Sequence, residues 1–429
     1  MSAAQIPPTP ESRLEALQCH FTWDLDADML KLARIRDKLE DIGTDELNCW
    51  LGHIQNLQGF IQYQLGSDQE ARRFFGRAAE AFGRVRSVDR GPWLEVNYGN
   101  LAWLHHLQGE EEEREAFLSK VDGLMTEFPP PSPDELHPEV CAEKAWTLMK
   151  FSKDQKLQAA DLFQKAIDVQ PDRVEWRTSR VLALLSAYKH SDQSLDPDFL
   201  QEMRLATEND PENRYLAVHY LEQRAKSGEH VEDEVLELAG KISANPVGSY
   251  GGMKALTRLF KQYVSVDEAV NLTEETLRTH PDERYLKRCA ALCYKWKIVF
   301  VKDGRPTQAV FDRAIALHKE VIELYPDSSL VKKVDLANIY AKSRGGLEEA
   351  EKIYRQLLEA ELQPADQQMI YNNYAKFMYF ERRDQRTSIR YHEMTAAIPN
   401  PSFFREDSVK ALERIKQRRS QTDKRVQRF

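Results

Sequence analysis

The chain has 429 residues, 41% of them apolar and 30% charged, with only 18 Gly and 19 Pro; this suits a long continuous core with few extended loops and argues against disorder. A net charge of −9 argues against a protein coated with nucleic acid. Five cysteines, odd in number and mostly far apart, are unlike a secreted disulfide framework. No stretch approaches a membrane span, and MSAAQIPPTPESR at the start and VQRF at the end carry neither signal-peptide nor lipidation features. The expectation is a cytoplasmic protein without membrane contact.

In chain order, residues 44–85 read as a first helix pair. Trp50, Leu51, Leu57 and Phe60 lie on its first helix, and Ala71, Phe75 and Ala78 lie on its second. Residues 93–127 supply a second pair, followed by FPPPSPDELHP, whose five prolines forbid helix and make a joint. The third pair, 139–172, carries the clearest copy of a recurring phrase: Ala159, Phe163, Ala166 and Pro171. The small residue lets two helices approach, the bulky one fills the groove between them, and proline ends the helix. Weaker copies end at Pro211, Pro281 and Pro326.

That phrase is the second helix of a tetratricopeptide repeat. The pair at 174–212 is lengthened by the polar insert KHSDQSLDPD, and a less regular pair begins near Tyr215 and ends at Pro246. GSYGG at 248–252 reads as a hinge or a close-packed helix start, because a phosphate cradle would need a GK[ST] partner. Pairs at 252–281, 283–326 (interrupted by KDGRPTQ), 329–363 and 366–397 complete the stack, and a tail helix begins near Phe404. From Arg405 to Phe429, nine Lys or Arg stand against four acids, a local charge of about +5 that suits either a phosphate contact or a solvated helix end.

The expected architecture is therefore an all-α tetratricopeptide superhelix with a concave groove. Its expected parts are an N-terminal repeat subdomain at 1–128, central repeats at 137–246, C-terminal repeats at 247–400 and a basic tail at 401–429. No nucleophile elbow, P-loop or zincin motif is present. Cys289 and Cys293 share a helix face, but a metal site needs three or four ligands; no enzyme, cofactor or metal is expected.

Cationic and aromatic residues at helical spacing are what remain. Trp146 and Lys150 are four apart on the first helix of the best pair, so a ring could meet a base and an ammonium a phosphate. The same spacing suits an ordinary core tryptophan beside a solvated lysine. Arg34 and Lys38 form another same-face pair; Lys254, Arg258 and Lys261 make one basic stripe, and Arg284, Arg288 and Lys295 a second. Each stripe alone is a common solvated helix face, but stacking of first helices would align them along one groove.

CHFTW at 19–23, YGNLAWLHHLQG at 98–109, HPEVCAEKAWTLMKF at 137–151, ALCYK at 291–295, DLANIYA at 335–341 and IYNNYAKFMYFERR at 370–383 fall in the order seen in the interferon-induced proteins with tetratricopeptide repeats. The chain resembles a shorter member of that family over nearly its whole length, most specifically at CHFTW and the Cys-x-Glu-Lys-x-Trp stretch. The resemblance implies an antiviral effector that captures the 5′ triphosphate or cap of single-stranded viral RNA and keeps it from translation. The family's pocket lysine then matches Lys150, its cap-stacking tryptophan Trp146, a channel arginine Lys254 and a further basic position Lys261.

Several family positions depart. An arginine that grips terminal phosphates aligns with Ser186, a threonine with Lys38, a metal-assisting glutamate with Arg34, and two glutamines with Ile42 and with Cys289, beside Arg288. One positive charge is lost and two arrive. The resemblance thus implies either a phosphate clamp rebuilt from Arg34 and Lys38, with Lys150 at its base, Trp146 on the first nucleotide or cap and Lys254, Lys261 and Arg288 along the backbone, or a chain that does not hold triphosphate ends. In the second case a tetratricopeptide scaffold recruiting signalling proteins or other family members is expected, or a chaperone adaptor gripping acidic tails.

Overall fold

The computed structural model describes residues 9–26, 28–42, 48–188, 196–246, 252–300 and 304–426, with side chains described as far as residue 417. Among the described residues all regular structure is helical, and the helices form successive antiparallel pairs. No described helix is long and apolar enough to cross a membrane. Most of the expected pairs are found, as Leu51–Gln64 with Asp68–Arg86, Glu95–Leu107 with Glu111–Glu127, Pro138–Leu148 with Lys153–Val169, Val174–Tyr188 with Pro197–Asn209, and Arg214–Lys226 with Glu232–Ala244, whereas the pair expected at 252–281 is divided, Met253–Tyr263 belonging to one compact unit and Val266–Thr279 to the other. The chain divides into two compact units between Ser265 and Val266. The second holds Arg284–Val299 with Gln308–Leu324, Leu330–Lys342 with Leu347–Glu359, and Pro364–Phe380 with Gln385–Ala397, the last pair covered by Phe403–Val426.

The small-bulky-small phrase does the packing that its spacing predicts. Ala159, Phe163 and Ala166 are wholly buried, as are Ala71, Phe75 and Ala78. The Phe75 ring lies so close to Gly59 on the facing helix that a Cβ there would stand 2.6 Å from it, and Gly59 is what permits that approach. Pro138, Pro197 and Pro364 begin helices, where a missing N–H costs nothing. Ser152 and Gln155 cap the Lys153–Val169 helix reciprocally. Residues 128–137, with four of the five prolines, contain no helix, and the fifth, Pro138, begins the next one. All five cysteines are free thiols.

Of the two glycine-rich and insert readings, Gly252 adopts φ +71° as the N-cap of Met253–Tyr263, and a Cβ there would stand 3.3 Å from the Tyr215 backbone. The remainder of GSYGG, at 248–251, and most of the insert after Tyr188 lie outside the described residues.

The N-terminal segment explains CHFTW. Thr22 Oγ1 donates to the Leu17 carbonyl and accepts from the Cys19 N–H, closing a tight turn. His20, buried inside it, receives the Asn100 side-chain amide on Nδ1 at 3.0 Å and places Nε2 3.1 Å from Thr147 Oγ1. An acceptor at Nδ1 leaves the proton on Nε2, and burial pushes the imidazole pKa down to about 3. The turn therefore fastens the start of the chain to the first helices of the second and third pairs.

Candidate functional site

The helix Met29–Ile42 packs through Leu32, Ile35 and Leu39 on the same core as Leu51–Gln64 and Pro138–Leu148. This brings Lys38 into the electrostatic range of Lys150. Lys150 itself follows Pro138–Leu148, in a turn closed by its own N–H to the Thr147 carbonyl at 3.0 Å. Its side chain turns back so that Nζ stands 4.0 Å from the centre of the Trp146 ring. A ring face attracts a cation, by about 0.5–2 kcal/mol depending on desolvation.

Among the described residues no carboxylate lies within ion-pair distance of the Lys150 ammonium. Burial, and then the Lys38 charge, push its pKa from an ordinary 10.5 down to about 7. The two buried acids of Pro138–Leu148, Glu139 and Glu143, do not pair with it. Glu139, 3% exposed, is held between Arg86 at 2.7 Å and Arg173 at 2.8 Å. Glu143, 1% exposed, accepts from Asn56 at 2.8 Å, and burial raises its pKa to about 8, so it is mostly uncharged at neutral pH. His53, buried nearby, is likewise kept neutral by burial and by the adjacent Arg86 charge.

Trp146 is 4% exposed. It stacks on Trp50 with ring centres 5.9 Å apart and planes at 19°, and His53 lies 6.3 Å away. Trp50 also meets Phe163, the bulky residue of the repeat phrase, edge-on at 6.1 Å. Neither Trp50 nor His53 is legible as a neighbour of Trp146 from sequence, since helical spacing relates residues within one helix and these come from another.

The other expected residues are placed as follows. Arg34, half-buried, and Lys38, exposed, stand one turn apart on Met29–Ile42. Lys254 and Lys261 are half-buried on Met253–Tyr263, which packs on Arg214–Lys226 and Glu232–Ala244 in the first unit. Arg288 belongs to the second unit, where its guanidinium lies 4.8 Å from the Tyr325 ring and Arg284 lies 4.2 Å from the same ring. Of the positions that depart from the family, Ile42 packs against the first core and Cys289 is buried.

The second unit also holds a cationic cluster that single-helix spacing does not show. Lys295 on Arg284–Val299 and Lys332 on Leu330–Lys342 share the carboxylate of Asp335, at 2.5 and 3.5 Å. Asp335 and Lys332 are only three positions apart, but Lys295 comes from the preceding pair. Among the described residues no group of three or more His, Cys, Asp or Glu could hold a metal ion.

No model of a known protein family matches the chain. It is 26% identical over 423 residues to the antiviral innate immune response effector IFIT1 of Macaca fascicularis, covering 94% of this chain and 86% of that protein. It is 23% identical over 424 residues to interferon-induced protein with tetratricopeptide repeats 2 of Homo sapiens, covering 94% and 87%. Its fold matches the human IFIT1 dimer with PPP-AAAA at a TM-score of 0.71 and 23% identity, over 97% of this chain and 92% of that one. The human IFIT1 dimer with m7Gppp-AAAA matches at 0.72 and 23%, over 96% and 92%. Along nearly all of its length the chain is thus similar in sequence, at 23–26% identity, to interferon-induced proteins with tetratricopeptide repeats, and it shares the fold of the solved human IFIT1 structures.

Proposed function

We propose that the protein is an antiviral effector of the interferon response, acting in the cytosol by binding rather than by catalysis. It captures the 5′ end of single-stranded RNA and withholds it from translation. The observation that carries this reading is the Lys150 ammonium, half-buried on Trp146 beside Lys38, with no carboxylate in ion-pair distance among the described residues. Buried charge is costly unless paired, and an ammonium held by a ring face and pressed by a like charge is a seat for an anion. A terminal phosphate supplies that charge, and a single strand is narrow enough to bring one to a half-buried lysine. The solved structures of human IFIT1 with PPP-AAAA and m7Gppp-AAAA support the choice of an RNA end as the anion.

In this reading Lys150, Lys38 and Arg34 neutralise the terminal phosphates. Trp146 holds Lys150 in place and borders the first nucleotide. Lys254 and Lys261 meet the backbone further along.

The test compares binding of one adenosine-rich RNA carrying a 5′ triphosphate or a 5′ hydroxyl, in low salt, to the full chain and to Lys150→Glu. The triphosphate form binds the unaltered chain more tightly by at least about tenfold, and Lys150→Glu erases the difference. Equal binding of the two ends by the unaltered chain would rule the reading out. It would favour a scaffold that recruits partner proteins.

A further inference from the structure

We propose that Glu143 keeps a proton on its second carboxyl oxygen in the folded protein, and that this proton makes the junction of the first three helix pairs an alkali-sensitive lock. The lock involves none of the cations assigned to RNA.

One chain of hydrogen bonds crosses the junction. Asn97 on Glu95–Leu107 donates through Nδ2 to the Phe75 carbonyl at 2.9 Å and to Asn56 Oδ1 at 2.8 Å. Asn56 on Leu51–Gln64 donates through its own Nδ2 to Glu143 Oε1 on Pro138–Leu148 at 2.8 Å. All three side chains are 1% exposed or less. Each of these helices opens its pair, so three side chains join three repeats.

The direction of the chain is fixed. A backbone carbonyl only accepts, so the Asn97 atom that faces Phe75 is the amide nitrogen. The same nitrogen faces Asn56, whose near atom must then be the oxygen, and the remaining Asn56 nitrogen must donate to Glu143. Oε1 is thereby committed as an acceptor, and a proton on this carboxyl sits on Oε2. That is where a donor is wanted: among the described residues, Glu143 Oε2 and Asn97 Oδ1 are both buried acceptors without a hydrogen-bond partner. An ionised Glu143 adds a charge to this junction and leaves both oxygens orphaned, the costly state of a buried carboxyl. A protonated Glu143 is neutral and supplies an O–H where the orphan atoms are all acceptors.

The surroundings favour the neutral form. Glu139 on the same helix and Glu95 on Glu95–Leu107 act on Glu143 as like charges, and the nearby Arg86 and Arg173 are engaged by Glu139. The Cys19 thiol of the N-terminal turn, pushed up to about 12 by burial, also feels the Glu143 charge. His53 on Leu51–Gln64 and His20, which meets Thr147, are both kept neutral by burial. Lys144 lies over the Trp23 ring, Lys153–Val169 brings Lys165 to Cys141, and Pro92–Leu94 carries no ionisable side chain. Burial, with the Glu139 and Glu95 charges adding to it, holds the Glu143 carboxyl up at about 8 against the pull of the Asn56 amide; burial holds Glu95 at about 7. A carboxyl raised in this way binds more protons folded than unfolded. Its stabilisation is fully present below the ordinary 4.5 and is lost as pH rises to 8.

The experiment compares the full-length chain with Glu143→Gln, whose amide keeps an acceptor for Asn56 and puts an N–H in place of the O–H, with nothing to titrate. In urea unfolding at pH 6, 7 and 8, the unfolding constant of the unaltered chain should rise with pH by at least about tenfold more than that of Glu143→Gln, since one linked proton changes it by up to about tenfold per pH unit. Lys150 titrates in both proteins and cancels. The infrared difference spectrum between the two at pH 7 should show a protonated-carboxyl band that is absent at pH 10. Parallel pH profiles, or a difference spectrum at pH 7 that shows only ionised carboxylate, overturn the proposal. Should Glu143→Gln fail to fold, as far-ultraviolet circular dichroism would reveal, Glu95→Gln decides: with that neighbour no longer titrating, a protonated-carboxyl band at pH 7 that disappears as pH rises through 8 upholds the lock, and its absence overturns it.

Discussion

Lys150 illustrates how a single buried charge can be set against stability. Its pKa of about 7 lies below the ordinary 10.5 because burial and Lys38 disfavour the ammonium. Between those two values the unfolded chain binds more protons than the folded one, so this lysine's contribution to stability rises with pH across roughly 7 to 10.5. Its penalty is complete below pH 7. Lys150→Met, which fills similar space without charge, is therefore expected to stabilise the protein by about 1–2 kcal/mol at pH 6. The gain should shrink towards pH 10, and thermal melts at pH 6, 8 and 10 would show it. A gain independent of pH would mean that the methionine acts through packing and not through the buried charge. The same titration acts on binding: a phosphate favours the ammonium, so affinity for a triphosphate end should fall as pH rises through 7.

At this scale the sequence carries only part of the site. Trp146 and Lys150 are four apart, and their shared face follows from helix geometry alone. The Arg86–Glu139–Arg173 clamp does not follow from any local pattern, because its members are 53 and 34 residues apart and meet only when two helices and the turn before Val174 come together. Nor does spacing distinguish a ring that faces a ligand from one whose faces are occupied. Burial of Trp146 depends on Trp50 and His53, which a different helix supplies.

Among the elements, the Leu51–Gln64 and Asp68–Arg86 pair shows which part of a repeat is legible and which is hidden. The alanine, aromatic, alanine order on the second helix marks it as a packing face, and all three residues are wholly buried. The small partner on the first helix is less conspicuous. Gly59 reads as a neutral position in a helix, where glycine ordinarily costs about 1 kcal/mol against alanine. Here Gly59→Ala should destabilise instead of stabilising, because the new methyl would stand 2.6 Å from the Phe75 ring and either the ring or the helix must shift. A loss of about 1–3 kcal/mol is expected, read as a lower midpoint in urea unfolding. An unchanged or raised midpoint would show that the Phe75 ring yields without strain. The CHFTW turn is the opposite case: its letters stand out by resemblance, but their purpose needs Asn100 and Thr147, which lie 80 and 127 residues from His20.

For the molecule as a whole, the repeat architecture governs how far any local change is felt. In stacked repeats each pair contacts chiefly its neighbours, so stability is close to a sum of pair and neighbour terms. The first unit is built on the core around Trp50, Phe75 and Phe163, and the second on cores around Tyr354 and Phe311. Tyr354 is wholly buried and donates its hydroxyl to Asn338 at 2.7 Å. Gly59→Ala should accordingly speed amide hydrogen exchange in Leu51–Gln64, Asp68–Arg86 and Pro138–Leu148 and leave Leu330–Lys342 and Leu347–Glu359 at their original rates. Tyr354→Phe, which strands the Asn338 oxygen and costs about 1–3 kcal/mol, should do the reverse. Exchange rising in both units with either substitution would instead show one cooperative folding unit. That outcome would bear on function too, because an anion seated at Lys150 protects amides only as far as cooperativity extends: confined to the first unit, protection by a triphosphate end would stop before Val266, and any further protection would have to come from contacts that the RNA itself makes with the second unit.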